Sequence, residues 1–366
     1  MSKPKLTKNP SPARSATTAP SVQLNHTDSA VAAAAALIAF VIYLLTLAPT
    51  VTGEDSGELI TAAYTLGIPH PPGYPLWCML GKLFSLLPIG SVAWRINLMS
   101  AFWAAATVAT LCMLVLKLTR SRTAAFAAAL TFAFSYDFWG QSVIAEIYTL
   151  NAFLIALCTL ILITWQEHRR NTYLYAFAAV YGLGLCNHHT MHFLGPVFAL
   201  FILRIDYVEC GGNATALAKF RWHTYSFMLL IAFILWFLIH LYLPFRSLAN
   251  PVMDWGNPET WQNFWNVVLR RQYGSQGFSA NPHSLTRLAA QFYTVATIYL
   301  HQFTPLLAIL PLLGLPPLIQ KDKPRAALIA GAAAYIIIGF ILILNFDTDR
   351  QSIWVNSTFF LPAHMM

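Results

Sequence analysis

The stretch GEDSGELITAAYTLGIPHPPGY, residues 53–74, decides how the rest of the chain is read. It places Glu54, Asp55 and Glu58 within five positions and adds His70 ahead of a proline turn. The whole chain of 366 residues has only 14 Asp and Glu, so this is a strong concentration of acid. The stretch follows closely on residues 29–49, an uncharged run long enough to cross a bilayer, for which about 20 apolar residues suffice. Acids gathered beside a span in a charge-poor chain mark where a membrane protein keeps its chemistry.

Composition supports a membrane reading of the whole chain. Apolar residues make up 57% and charged residues 10%, against about 25% charge in a soluble domain. The expected class is an all-α polytopic membrane protein whose solvent is the lipid bilayer. The net charge of +8 does not point to nucleic acid, because the basic residues sit at the ends of apolar runs, where cytoplasmic loops collect them. Cys78, Cys112, Cys158, Cys186 and Cys210 show no CxxC spacing, which excludes a zinc ribbon and gives no disulfide framework.

Residues 1–28 are rich in Pro, Ser, Thr and Lys and read as a disordered cytoplasmic tail. Residues 29–366 read as one transmembrane domain. About nine spans are expected, over residues 29–49, 96–116, 123–139, 147–166, two short spans within 171–203, then 224–244, 302–319 and 326–346. A single tilted helix over 171–203 would invert everything after it. Arg204, Lys219 and Arg221 fall on the cytoplasmic side only if there are two, with the histidine turn between them. Residues 75–88 are too short to cross and read as a re-entrant or interfacial helix. Within the long polar loop 245–283, Asn257-Pro258-Glu259 reads as the start of a helix whose apolar face is Trp261, Phe264, Trp265 and Val268. On this scheme 15 of the 22 Lys and Arg are cytoplasmic, and nine of the 14 acids face the other side. A site on the outer face suits an enzyme better than a transporter, whose site lies near mid-depth.

Asp55 and Glu58 fit a capping box, with Asp55 as N-cap and Glu58 three residues on. Capping does not explain three acids where desolvation of a carboxylate is costly, so Asp55 is expected to act in proton transfer or metal binding. His70 to Tyr74 forms a rigid turn, either connector or binding loop. Arg246, Arg270 and Arg271 are the cations of the polar loop and could hold a phosphate, or snorkel to the interface. Glu146 and Asn151 open a span from the outside. His188, His189 and His192 lack a nearby acid and read as polar turn residues.

Four ordered motifs resemble one family. GEDSGELITAAYTLGIPHPPGYPL (residues 53–76), AEIYTLNAF (145–153), GLCNHHTM (184–191) and YLPFRSLANPVMDWGNPETW with RRQYG (242–261 and 270–274) are similar to the transmembrane protein 260 type protein O-mannosyltransferases and their bacterial relatives. The resemblance implies a GT-C-like glycosyltransferase fold with outer-face interfacial helices. It also implies a polyprenyl-phosphate sugar donor, with mannose as the expected sugar, and a hydroxyl acceptor on protein or glycan. Asp55 would be the catalytic base. Glu54, Glu58, His70, Tyr74, Glu146, Asn187, His189 and Trp255 would contact sugar or acceptor. Arg246, Arg270 and Arg271 would face the donor phosphate. A lipid-linked donor implies no nucleotide, and a divalent metal through Asp55 and Glu58 stays open. The membrane would be a bacterial inner membrane or an endoplasmic reticulum membrane, with the site on the periplasmic or lumenal side. Family members continue beyond the length of this chain, so the transmembrane domain is read as C-terminally incomplete relative to them. The competing reading is a transporter or flippase of a polyprenyl-linked or other small substrate, which would need broken polar helices at mid-depth.

Overall fold

The computed structural model describes residues 23–273 and 282–366. Among them the regular structure is helical, with one isolated bridge pairing Ile68 with Asp254. The first helix, α1 (His26–Leu45), opens on a capping box: Asn25 Oδ1 accepts from the Asp28 N–H at 3.0 Å, and the Asp28 carboxylate accepts from the Asn25 N–H at 2.9 Å. The helix therefore starts inside the expected tail, whose residues 1–22 lie outside the described residues.

Two short helices follow, α2 (Ser56–Thr65) and α3 (Pro75–Ser85). With 11 residues α3 is about 16 Å long, half the hydrocarbon thickness, as its sequence requires. Next come α4 (Val92–Thr119), α5 (Arg122–Ala133), α6 (Tyr136–Ser142), α7 (Tyr148–His168) and α8 (Asn171–Leu185). The second half holds α9 (Thr190–Glu209), α10 (Ala214–His240), α11 (Tyr242–Ser247), α12 (Trp261–Val268), α13 (Leu285–Ala308), α14 (Leu310–Lys321) and α15 (Lys323–Leu344). The chain closes with α16 (Arg350–Ser357), a 3₁₀ turn (Thr358–Phe360) and α17 (Leu361–Met365).

Each of the nine expected spans is covered by helix, but two are broken: 123–139 is divided between α5 and α6 at residues 134–135, and 302–319 between α13 and α14. Six helices among the described residues are long and apolar enough to cross: α1, α4, α7, α9, α15 and the continuous α10–α11. The α13–α14 pair, bent by 69°, makes a seventh if it is one span. The other two are shorter, α5 with 12 residues and α8 with 15. The bend falls inside the expected span 302–319. Thr304 sits at φ 59 and ψ 155 just before Pro305, whose ring drives the preceding residue out of the helical region. The break at residues 186–189 separates α8 from α9, which settles the 171–203 stretch as two helices.

The helix expected from Asn257 starts later. α12 begins at Trp261, capped by Thr260, whose Oγ1 accepts from the Asn263 N–H at 3.2 Å. Asn257 is in the left-handed region at φ 40, and its Oδ1 lies 2.8 Å from Ser247 Oγ. The face α12 buries is Phe264 and Val267; Trp261 stays exposed.

The core lies along α4 and α7, which pack on each other. α1 packs on α4, and both helices bury small side chains in the core, Ala32, Ala35 and Ala39 on α1 and Ala101 and Ala104 on α4. Small side chains let helix backbones approach closely, the usual basis of association in lipid. At the C-terminal ends of α4 and α7 a buried ionic network ties in α15. Lys117 Nζ lies 2.6 Å from Glu167, Arg325 lies 3.0 Å from the other Glu167 oxygen, and Gln166 bridges Arg325 and Asp322.

Candidate active site

The acid-rich stretch lies beside the opposite, N-terminal end of α7. Its entry loop is held by Asn97, whose Nδ2 donates to the carbonyls of Ala48 and Thr50 at 2.9 and 3.1 Å. The chain then turns at Glu54, which takes φ 58. Asp55 follows at the N-cap position of α2, but its side chain makes no capping bond. The capping box expected at Asp55 and Glu58 is therefore absent. Asp55 is exposed, with Oδ2 3.8 Å from His70 Nε2.

Glu58 has a different partner. Its Oε1 accepts from the His70 backbone N–H and from the ring Nδ1 at 3.1 Å. Burial would raise the Glu58 pKa, but these bonds and the nearby imidazole outweigh it and hold the carboxylate below its usual range. With Nδ1–H donated to Glu58, His70 Nε2 accepts from the Tyr74 hydroxyl at 2.9 Å. Glu58, His70 and Tyr74 thus form one chain of hydrogen bonds beside Asp55.

The turn that carries His70 is pinned from α11 and the loop after it. Ile68 N–H donates to Met253 O at 2.8 Å and Trp255 N–H to Ile68 O at 3.0 Å. Tyr242 donates to Gly67 O at 2.8 Å. Only glycine fits at position 67, because a Cβ there would lie 2.6 Å from Met253 O. Gly73, at φ +86, carries the chain into Tyr74 and α3, and the Pro71–Pro72 bond is cis. These contacts put the 53–74 and 245–273 segments on one end of the bundle, as the charge count required.

A second layer of groups lies behind Tyr74. Its ring stacks on His188 at 6.3 Å and 13°, and Tyr148 meets His188 edge-on at 5.5 Å. Burial first, then the neighbouring His189 imidazole and the Arg270 guanidinium, push His188 well below the usual histidine range and keep it neutral. Its Nδ1 accepts from the Thr190 N–H at 3.3 Å and lies 2.9 Å from Thr190 Oγ1, which also accepts from Asn151. His189 accepts at Nδ1 from Arg270 Nη1 at 2.8 Å. Burial and the Arg270 charge keep it neutral as well.

Glu146 is held through its backbone: Trp77 Nε1 donates to its carbonyl at 3.1 Å and its N–H donates to Ser100 Oγ at 3.2 Å. Its side chain is buried, and Oε1 has no partner among the described residues. Burial, with the Glu54 and Asp55 charges added, raises its pKa well above the carboxylate range. Glu54 is raised too, by burial, while Gln141 Nε2, donating at 3.1 Å, opposes the shift. The site therefore holds carboxyls with opposed environments: Glu58 kept ionised, Glu146 kept neutral.

Residues 55–209 match the Protein O-mannosyl-transferase TMEM260 N-terminal domain.

The resemblance read from the motifs is thereby shown. Protein O-mannosyl-transferase TMEM260 of Mus musculus is 35% identical over 242 residues, 64% of this chain and 33% of that protein. Protein O-mannosyl-transferase tmem260 of Dictyostelium discoideum is 27% identical over 328 residues, 84% of this chain and 38% of that protein. The chain spans about a third of the length of these relatives. Its fold is shared with ArnT from Cupriavidus metallidurans, solved bound to undecaprenyl phosphate, at a TM-score of 0.60 and 14% identity over 92% of this chain and 57% of that one. The chain is an integral membrane protein with a GT-C-like helical fold.

The structure gathers Asp55, Glu58, His70 and Tyr74, with Trp255 stacked edge-on against His70 at 6.3 Å. Glu146 and the His189–Arg270 pair flank them, and Asn187 donates to Ile147 O at 3.3 Å beside Glu146. Glu54 turns to Gln141. Arg246 is placed otherwise: Nε donates to Leu66 O at 2.7 Å and Nη2 to Thr65 O at 3.2 Å, so it closes the C-terminus of α2. Arg271 is exposed at the rim. Sequence reasoning left out Tyr148 and Gln141 and read His188 as a polar turn residue only. Tyr148 and His188 sit in two of the quoted motifs, which was the available signal; Gln141 carried none.

Asp55, Glu58 and His70 each offer a ligand atom within 4.8 Å of the others. Two oxygens and an imidazole could take a divalent cation, if His70 gives up its Nδ1 bond to Glu58 or ligates through Nε2.

Proposed function

We propose that this protein is a membrane glycosyltransferase moving a sugar, mannose by the names of its relatives, from a polyprenyl-phosphate donor to a hydroxyl of a protein. The carrying observation is Asp55: its carboxylate is released from capping and stands exposed beside the Glu58–His70–Tyr74 chain. The acceptor oxygen attacks the anomeric carbon and forms the new C–O bond. The bond from that carbon to the donor phosphate oxygen breaks, and the hydroxyl proton passes to Asp55. Polyprenyl phosphate leaves with an extra negative charge, which Arg270, held by His189, would stabilise. Glu146, neutral and with a free oxygen, suits hydrogen bonding to sugar hydroxyls. The fold is consistent with such a donor, since ArnT was solved with undecaprenyl phosphate. The distribution of Lys, Arg and acids supports a periplasmic or lumenal site.

The test is incubation of the purified protein in nanodiscs with radiolabelled polyprenyl-phosphate mannose and a Ser/Thr-rich peptide. Label should appear on the peptide. Movement of intact donor across the bilayer without transfer would establish the flippase reading instead.

A further inference from the structure

A pocket of about 360 Å³ opens between α6, α13 and α16, outside the acid cluster. Its size falls in the range of ligand sites. Tyr136 and Trp354 line it with exposed rings, and His301 packs edge-on to Tyr136 at 4.6 Å. Gln302 accepts from the Asp137 N–H at 2.8 Å, and Arg350 stands at the rim. The Asp137 carboxyl lies beside the Ser357 and Gln302 side chains, and its buried Oδ2 makes no hydrogen bond of normal geometry among the described residues. A buried acceptor without a partner is costly, and a ligand N–H or O–H would relieve it.

The position of the pocket says what it takes. Asp137 and Gln141 lie one turn apart on α6, about 6 Å along the axis. Gln141 holds Glu54, the neighbour of Asp55. An extended polypeptide advances about 3.3 Å per residue. A peptide side chain seated in the pocket would therefore leave the neighbouring residues of the same strand within a few positions of Glu54 and Asp55.

We propose that this pocket seats a side chain of the acceptor polypeptide flanking the Ser or Thr that is modified, with Tyr136 and Trp354 as the apolar walls and Asp137 accepting a peptide N–H. The assignment rests on the transferase reading above.

The full chain in nanodiscs is tested with a Ser-containing hexapeptide that carries a benzoylphenylalanine two residues from the Ser. Irradiation should cross-link the peptide to α13 or α16, mapped by mass spectrometry, and unlabelled peptide should compete. Trp354→Ala, which truncates an exposed ring, and Asp137→Asn should each raise the competing concentration about tenfold while donor binding is unchanged. Cross-links elsewhere, or competition by free mannose but not peptide, would overturn the proposal. Cross-linking in the pocket without sugar transfer would keep the pocket as a peptide site and sink the transferase reading instead. Transfer to a peptide that never labels the pocket would do the reverse.

Discussion

Replacing Asp55 by Asn isolates proton acceptance from everything else the residue does. The side chain makes no capping bond and is 56% exposed, so the swap opens no cavity and orphans no donor. Its contact with the His70 ring is 3.8 Å, and exposed pairs of this kind contribute about 0–1 kcal/mol, while the nearby Glu54, Glu58 and Glu146 would be relieved of a like charge. Melting temperature should therefore stay close to that of the unaltered protein. Transfer should fall by about 10²–10⁴, or about 2.7–5.4 kcal/mol of barrier. Glu58→Gln is the internal comparison. Gln keeps an oxygen for the two His70 N–H groups but loses the charge, at about 1 kcal/mol per bond, which limits the loss to about 30-fold. The assay is initial rate of label transfer alongside thermal unfolding of the same preparations. Asp55→Asn within fivefold of normal would refute the assignment. A larger loss in Glu58→Gln than in Asp55→Asn would move the base to His70.

Glu146 is raised by burial, so the folded state holds its proton while the unfolded chain releases it above about 4.5; stability is lost as pH rises from there. Glu146→Gln should then melt higher than the unaltered protein at pH 8, with the gap closing toward pH 4.5 in scanning fluorimetry. Glu167→Ala removes the shared partner of Lys117 and Arg325 and should cost about 3–5 kcal/mol, read as a lowered unfolding temperature, with activity per folded molecule falling as α7 is freed to rotate. Gly67→Ala forces a Cβ against Met253 O, so it should cost about 1–3 kcal/mol and lower transfer, because the His70 turn loses its register on the Ile68–Asp254 bridge.

The helices were legible because apolar runs and flanking charges report directly on burial in lipid. The site was legible in part, because Asp55, Glu58, His70 and Tyr74 lie within 20 residues and a proline turn folds them together. Other features left no trace. The φ of 58 at Glu54 turns the chain so that Asp55 points away from the α2 amides, and the pattern D-x-x-E cannot show that. Arg246 binds main-chain carbonyls 180 residues away, and any segment offers those. His188 reads as a polar turn residue until Tyr74 and Tyr148 are seen packed on its ring. Pairing across such separations is decided by packing and not by local pattern.

The two ends of α7 divide the work of the fold. At its C-terminal end Glu167 binds cations from α4 and α15, which fixes the rotation of α7 about its own axis. One residue of slippage turns a helix by about 100°, so this clamp also fixes what the other end presents, about 30 Å away. There, Glu146 meets Trp77 of α3 and Ser100 of α4 through its main chain only. Its carboxyl is left without a partner at Oε1, facing the charges of Glu54 and Asp55. A bundle that needed only stability would have buried an apolar residue at this position. Keeping a neutral acid there, oriented by a distant ionic clamp, is the arrangement expected of a group reserved for a polar ligand.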